Sequence, residues 1–168
     1  MQRQKGFSLI ELLIVVAIIL IIAAIAIPNL MRSKMAANES SAISSLRTIS
    51  TAEVTYATVY PSVGYSNDLP SLGGSAAVCS VPGGAGSLTA CIIDDVLATA
   101  TTLATAKSGY FYTYSLGAAV GGINTSYSVT ATPTIVGTAG QRYFFTDQSC
   151  VLRYGLTGPA TAASSAIQ

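Results

Sequence analysis

The apolar positions of the chain fall into three patterns, and each predicts a different kind of element. From Leu12 to Ile27, sixteen consecutive residues are Leu, Ile, Val or Ala. A run with no polar face predicts a helix surrounded by protein or by lipid. From Ala42 the pattern becomes periodic. Ala42, Leu46, Ile49, Tyr56 and Tyr60 follow at spacings of four, three, seven and four, which is one face of a helix, and Glu53 occupies the missing position. Glu53 reads as a solvated helix position, with a specific polar contact as the alternative. Beyond Pro61 the helical period is lost. Tyr110–Leu116, Ser126–Thr132, Arg142–Thr146 and Val151–Tyr154 are rich in aromatic and β-branched residues, and predict four strands. Gly121-Gly122 and Asp147-Gln148-Ser149 separate them, and the short connections favour an antiparallel meander.

Prolines and glycines set the boundaries. Pro28 lacks a backbone donor and its ring clashes with the preceding turn, which predicts a kink or local melting there, or a helix end. Met31-Arg32-Ser33-Lys34-Met35-Ala36-Ala37-Asn38-Glu39 is rich in helix formers, so the helix resumes. Pro61 stops it, because the residue before a proline is biased away from helical backbone. A continuous helix from Phe7 to Tyr60 would be about 80 Å long. Gly64, Gly73-Gly74 and Gly83-Gly84-Ala85-Gly86 then mark a loop-rich connection. Ile92 to Ala106 is a candidate short helix with Asp94 and Asp95 in its first turn, weakened by Thr99, Thr101, Thr102 and Thr105. The fold class is α+β: a long N-terminal helix whose stripe packs against an antiparallel sheet of about four strands.

Composition narrows the function. The 168 residues are 51% hydrophobic and 9% charged, with a formal charge of +1 and no His. That balance excludes a broadly basic nucleic-acid surface, and nucleic acid is not indicated as a partner. The absence of His removes the commonest near-neutral acid–base group and metal ligand. No H-E-x-x-H or C-x-x-C occurs, and Gly83-Gly84-Ala85-Gly86-Ser87 lacks the lysine of a phosphate loop, so it reads as a flexible loop. Asp94, Asp95 and Asp147 are weak candidates for a calcium ion. No cofactor, metal or catalytic residue is assigned, and a membrane-tethered enzyme is the least favoured class. Tyr112, Tyr114, Tyr127, Tyr143 and Tyr154 read as core and strand packing, against an aromatic binding surface or an electron path.

The N-terminus carries the most specific chemistry. Arg3 and Lys5 precede a stretch from Leu12 to Met31 with no charge, twenty residues or about 30 Å of helix, which matches a hydrocarbon core. Glu11 heads that stretch. Twelve branched aliphatics favour insertion by about 4 to 7 kcal/mol, against roughly 3 kcal/mol or less for the carboxylate. Insertion therefore tolerates Glu11 without explaining it. No Lys or Arg lies between Phe7 and Met31 to pair with it. A cut before Phe7 would create an α-amino group as partner, either on the same chain or on a staggered neighbour, where Glu11 would set register. Three readings fit the segment: a secretory signal ending at Ala24-Ile25-Ala26, a plain anchor, and a cleaved assembling helix.

The stretch Lys5-Gly6-Phe7-Ser8-Leu9-Ile10-Glu11-Leu12-Leu13-Ile14-Val15-Val16-Ala17-Ile18 resembles the class III signal of type IV pilins and pseudopilins, most like a type IVa major pilin. The resemblance implies that a prepilin peptidase cuts between Gly6 and Phe7 and methylates the Phe7 amine. It implies that Glu11 is the assembly glutamate and that Pro28 interrupts the first helix. Residues 1–6 would be a leader, 7–60 the long helix (7–31 in membrane or filament core, 32–60 amphipathic), and 61–168 the globular head. The cut removes Arg3 and Lys5, leaving six basic against seven acidic side chains. The implied life cycle runs from a single-pass state in the inner membrane, N-terminus cytoplasmic, to an extracellular filament. Its implied partners are membrane lipid, the peptidase, an inner-membrane assembly platform and other copies of the chain. Adhesion, twitching motility and DNA uptake belong to such filaments. The alternative is a pseudopilin of a type II secretion system.

Cys79, Cys91 and Cys150 lie in the part expected outside the cytoplasm. Cys79 and Cys91 bracket a Gly-rich segment and are the favoured pair, with Cys150 as alternative partner of either. Closing that loop would stabilise by about 3 kcal/mol. Cys150 falls just after a hairpin turn, where Gly would be the usual choice for positive backbone dihedrals.

Overall fold

A computed structural model describes residues 8–167. The chain forms two compact units that divide between Lys34 and Met35. One α-helix, α1 (Leu9–Val59), supplies all of the described first unit beyond Ser8 and the opening element of the second. α1 runs through Pro28 without the ending or melting expected there, although proline has no N–H for the hydrogen bond of that turn. It ends where the sequence places the stop. The Tyr60 amide closes the last turn on the Tyr56 carbonyl, and Val63 and Gly64 turn back onto the Tyr60 carbonyl.

In the second unit the stripe of α1 lies in the core. Ala42, Leu46, Ile49 and Tyr56 are buried together with Tyr110, Tyr112, Val129, Ala131 and Phe144 of a five-stranded antiparallel sheet. Its strands are β1 (Tyr110–Leu116), β4 (Tyr127–Pro133), β5 (Tyr143–Asp147), β6 (Arg153–Gly155) and β7 (Ser165–Ala166), in that order across the sheet. Register aligns Tyr112 with Ala131, Ala131 with Phe144, and Phe144 with Tyr154. In that row the small Ala131 lies between the large buried Tyr112 and Phe144, which lets neighbouring layers interdigitate. β4 alternates strictly between buried and half-buried positions, as a strand covered on one face should.

The sheet departs from expectation in three places. A fifth strand, β7, closes the far edge, and the fourth begins at Arg153 rather than Val151. A two-residue hairpin, β2 (Ala119–Val120) with β3 (Ile123–Asn124), is inserted between β1 and β4. Its turn is Gly121-Gly122, both with positive φ (61° and 83°), the geometry that matches strand twist and that glycine adopts without strain. The candidate helix over 92–106 is reduced to one turn, α3 (Asp95–Ala98), with Thr99 as its C-cap. Asp94 is its N-cap, accepting from the Leu97 amide at 2.6 Å.

Before α3 the chain makes a 3₁₀ turn (Pro70–Leu72) and a short helix, α2 (Ala76–Cys79). Cys79 is disulfide-bonded to Cys91, and Cys150 is free and exposed. The closed loop is tied to α1 by Tyr56, whose hydroxyl donates to the Ser87 carbonyl at 2.6 Å. Gly74 passes so close to the disulfide that a Cβ there would fall 2.7 and 2.9 Å from the two sulfurs.

Candidate functional site

Two sets of residues on α1 carry the functional questions. In the first unit, every branched aliphatic from Leu9 to Leu30 is exposed, from 80% at Leu9 to 46% at Val16. The helix begins with a polar arrangement. The Ser8 amide donates to Glu11 Oε2 at 3.0 Å, and the Leu12 amide donates to the Ser8 carbonyl at 3.3 Å. Glu11 thus satisfies one of the free donors of the helix start, where the macrodipole also favours negative charge. Glu11 has no cationic partner among the described residues. Gly6 and Phe7, the expected cleavage and methylation positions, lie outside the described residues.

In the second unit, Glu53, Glu39, Asp94 and Asp147 all have structural partners. Glu53 is buried, which corrects the solvated reading. Its Oε2 accepts from the Ser66 amide at 2.9 Å and its Oε1 from the Ser66 hydroxyl at 2.5 Å, while the Tyr114 hydroxyl donates to the Ser66 carbonyl at 2.9 Å. Burial pushes the Glu53 carboxyl above the usual carboxylate range, outweighing the Ser66 hydrogen bonds that favour the ionised form. Glu39, one turn before the stripe, forms an ion pair with Arg142 at 2.7 Å and accepts from the Gln141 and Arg142 amides. Asn38 donates to the Ala139 carbonyl at 2.8 Å. Arg142 also lies over the Phe144 and Tyr154 rings, 5.5 and 5.7 Å from their centroids. These contacts fix the 139–142 loop and residues 64–66 to α1. Asp147 accepts from the Ser149 amide in the turn before Cys150. Asp94 and Asp147 therefore serve a cap and a turn, and among the described residues no group of three or more candidate ligands converges.

Tyr110, Tyr112 and Tyr127 are core residues; Tyr114, Tyr143 and Tyr154 are half-buried. Burial raises the phenol of Tyr112, and likewise those of Tyr110, Tyr114 and Tyr127. Cys150 has φ of 57°, the positive value that its turn position implied.

Among the described residues the feature that stands out is the exposed apolar helix headed by Glu11. Known proteins agree in locating the likeness there. Residues 1–27 match the prokaryotic N-terminal methylation motif. The chain is 59% identical over 39 residues to the type IV wide pilus major component PilA4 of Thermus thermophilus, covering 23% of this chain and 30% of that protein. It is 48% identical over 54 residues to the type IV major pilin protein PilA of Myxococcus xanthus, 32% of this chain and 24% of that one. It is also 41% identical over 46 residues to the type II secretion system core protein G of Klebsiella pneumoniae, 27% of this chain and 33% of that one. The similarity thus spans a third or less of each relative's length. No solved structure matches the chain.

The fold and the motif together define a pilin-like protein, one long N-terminal helix with an antiparallel sheet. On its N-terminal segment the chain is similar to type IV pilins and to a type II secretion core protein, and it carries the prokaryotic N-terminal methylation motif.

Proposed function

We propose that the chain is the structural subunit of a type IV pilus-like extracellular filament. The observation that carries this reading is the exposed apolar half of α1 beneath a methylation motif. Twenty uncharged residues are soluble only in a bilayer or against other apolar surface. The subunit is stored in the inner membrane with its N-terminus cytoplasmic. A prepilin peptidase removes residues 1–6 and methylates the amine of Phe7. An assembly platform then extracts the helix, which packs against copies of itself. Glu11 exchanges its contact with the Ser8 amide for the Phe7 amine of a staggered neighbour, so a copy out of register leaves two charges unpaired among apolar side chains. Removal of Arg3 and Lys5 takes away the cations that hold the N-terminus inside.

The second reading is a pseudopilin of a type II secretion system, favoured by the likeness to core protein G. Immunogold electron microscopy separates the two. Long surface filaments labelled for this chain support the pilus reading; label confined to the periplasm, with secretion lost on deletion, supports the other. A Gly6 substitution that retains the leader should abolish assembly in either case, and normal filaments from that variant would overturn the cleavage step.

A further inference from the structure

The face of α1 opposite the buried stripe is a ridge with a groove on each side. Arg47 and Thr51 border both grooves. One, of about 450 Å³, is lined by Val54, Leu152 and Cys150 and is mainly apolar, with the exposed Arg47 as the cation in its lining. The other, of about 330 Å³, is walled on its far side by Ile92. Just beyond Ile92 the chain presents Asp94, Asp95 and Val96, all exposed, Val96 by 62%. One flank of the second unit therefore bears an acidic knob with an apolar tip. The opposite flank bears an apolar groove with a cation in its lining.

Two further observations bear on what fills the groove. Among the described residues Arg142 is the sole cation in an ion pair, so Arg47 and Asp95 have no ionic partner among them. The ridge itself makes few demands on a partner: Thr48, Thr51, Thr55 and Thr58 each donate to the carbonyl four residues back, at 2.8 to 3.1 Å. Such a surface can be covered without leaving hydroxyl donors unsatisfied.

We propose that the Asp95–Val96 knob of one copy docks in the Arg47–Val54–Leu152 groove of the next. Asp95 meets Arg47 across the contact, and Val96 fills the apolar floor. Because knob and groove are different patches of one chain, the contact is heterologous and each copy engages a neighbour on either flank. This rests on the filament reading, since a propagating contact requires a polymer.

Cys150 in the groove wall makes the contact directly testable. In filaments of the Val96→Cys variant, mild oxidation should join Cys150 of one copy to the new thiol of the next, giving a ladder of trimers and higher multiples on a non-reducing gel. Cys150 alone can link only two copies, so the unsubstituted chain should stop at a dimer, and Val96→Cys with Cys150→Ser should give no ladder. As a second variant, Arg47→Glu should lose filaments and Arg47→Glu with Asp95→Arg should regain them. Filaments of Val96→Cys without a ladder overturn the contact and leave the filament reading intact. So does a Cys150 thiol that reacts freely with maleimide in filaments, or one shielded there without a ladder. If the unsubstituted chain forms no filaments, the filament reading fails and the contact fails with it.

Discussion

The two halves of α1 share one helical backbone and differ in what covers their side chains. From Leu9 to Leu30 the branched aliphatic residues are exposed. From Ala42 to Tyr56 the stripe residues are buried against the sheet of the same chain. The difference is one of pattern more than composition. A stripe can be satisfied by a single partner surface, whereas an all-round apolar helix needs surface on every side, which one small head cannot supply. The first half therefore calls for apolar surroundings on every side, and the second for one partner surface.

The largest effect should come from removing that first half. A chain beginning at Met35 should remain monomeric in buffer, while the leader-free chain beginning at Phe7 should aggregate or polymerise when detergent is withdrawn. Analytical ultracentrifugation reads both. A leader-free chain that stays monomeric without detergent would erase the contrast.

Core substitutions sharpen the comparison. Leu46→Ala should destabilise the head by about 2–5 kcal/mol, seen as a lowered Tm. The same change at Leu20 should leave the head's Tm unmoved, because nothing in the second unit depends on it. Equal shifts from both would mean that the two halves are stabilised by a common core. Reducing the Cys79–Cys91 disulfide closes the gap from another side, and should cost the head about 3 kcal/mol, measured by denaturant unfolding with and without reductant.

The smallest effect is electrostatic and confined to the covered half. Burial raises the Glu53 carboxyl in the folded head, while in the unfolded chain it ionises at its ordinary value. Between those two values the folded state holds the proton more tightly. Stability should therefore fall as pH rises from the ordinary carboxylate range through the raised one, and level off above it. Glu53→Gln, which cannot titrate, should remove that slope. A slope of unchanged size in the variant would assign it to other groups.

The sequence reveals much of this architecture because its main signals are redundant. The apolar run, the stripe and Pro61 together delimit α1, and the strand over Tyr110–Leu116 is found with its observed limits. The elements that escape notice are those with too few residues to show a period, such as the two-residue β7 and the β2–β3 hairpin. Glu53 is misplaced for a different reason. Its charge argues for solvent, but its position continues the stripe, and position prevails because Ser66 supplies two donors. Glu39 obeys the same rule: it lies three residues before Ala42, and extending the stripe backwards would have placed it against the head. In a chain with only seven acids, an acid on an apolar stripe is a signal of a buried partner. That partner, Arg142, lies 103 residues away, and no local pattern connects the two.

The uncovered half of α1 matters only if the working protein keeps it. Intact mass and N-terminal analysis of the chain recovered from sheared, high-molecular-weight material tests this directly. The expected species begins at Phe7, carries one additional methyl group on its amine and retains one internal disulfide. A monomeric species beginning at Ile27 would mean that the apolar segment is an ordinary signal, discarded before the protein acts.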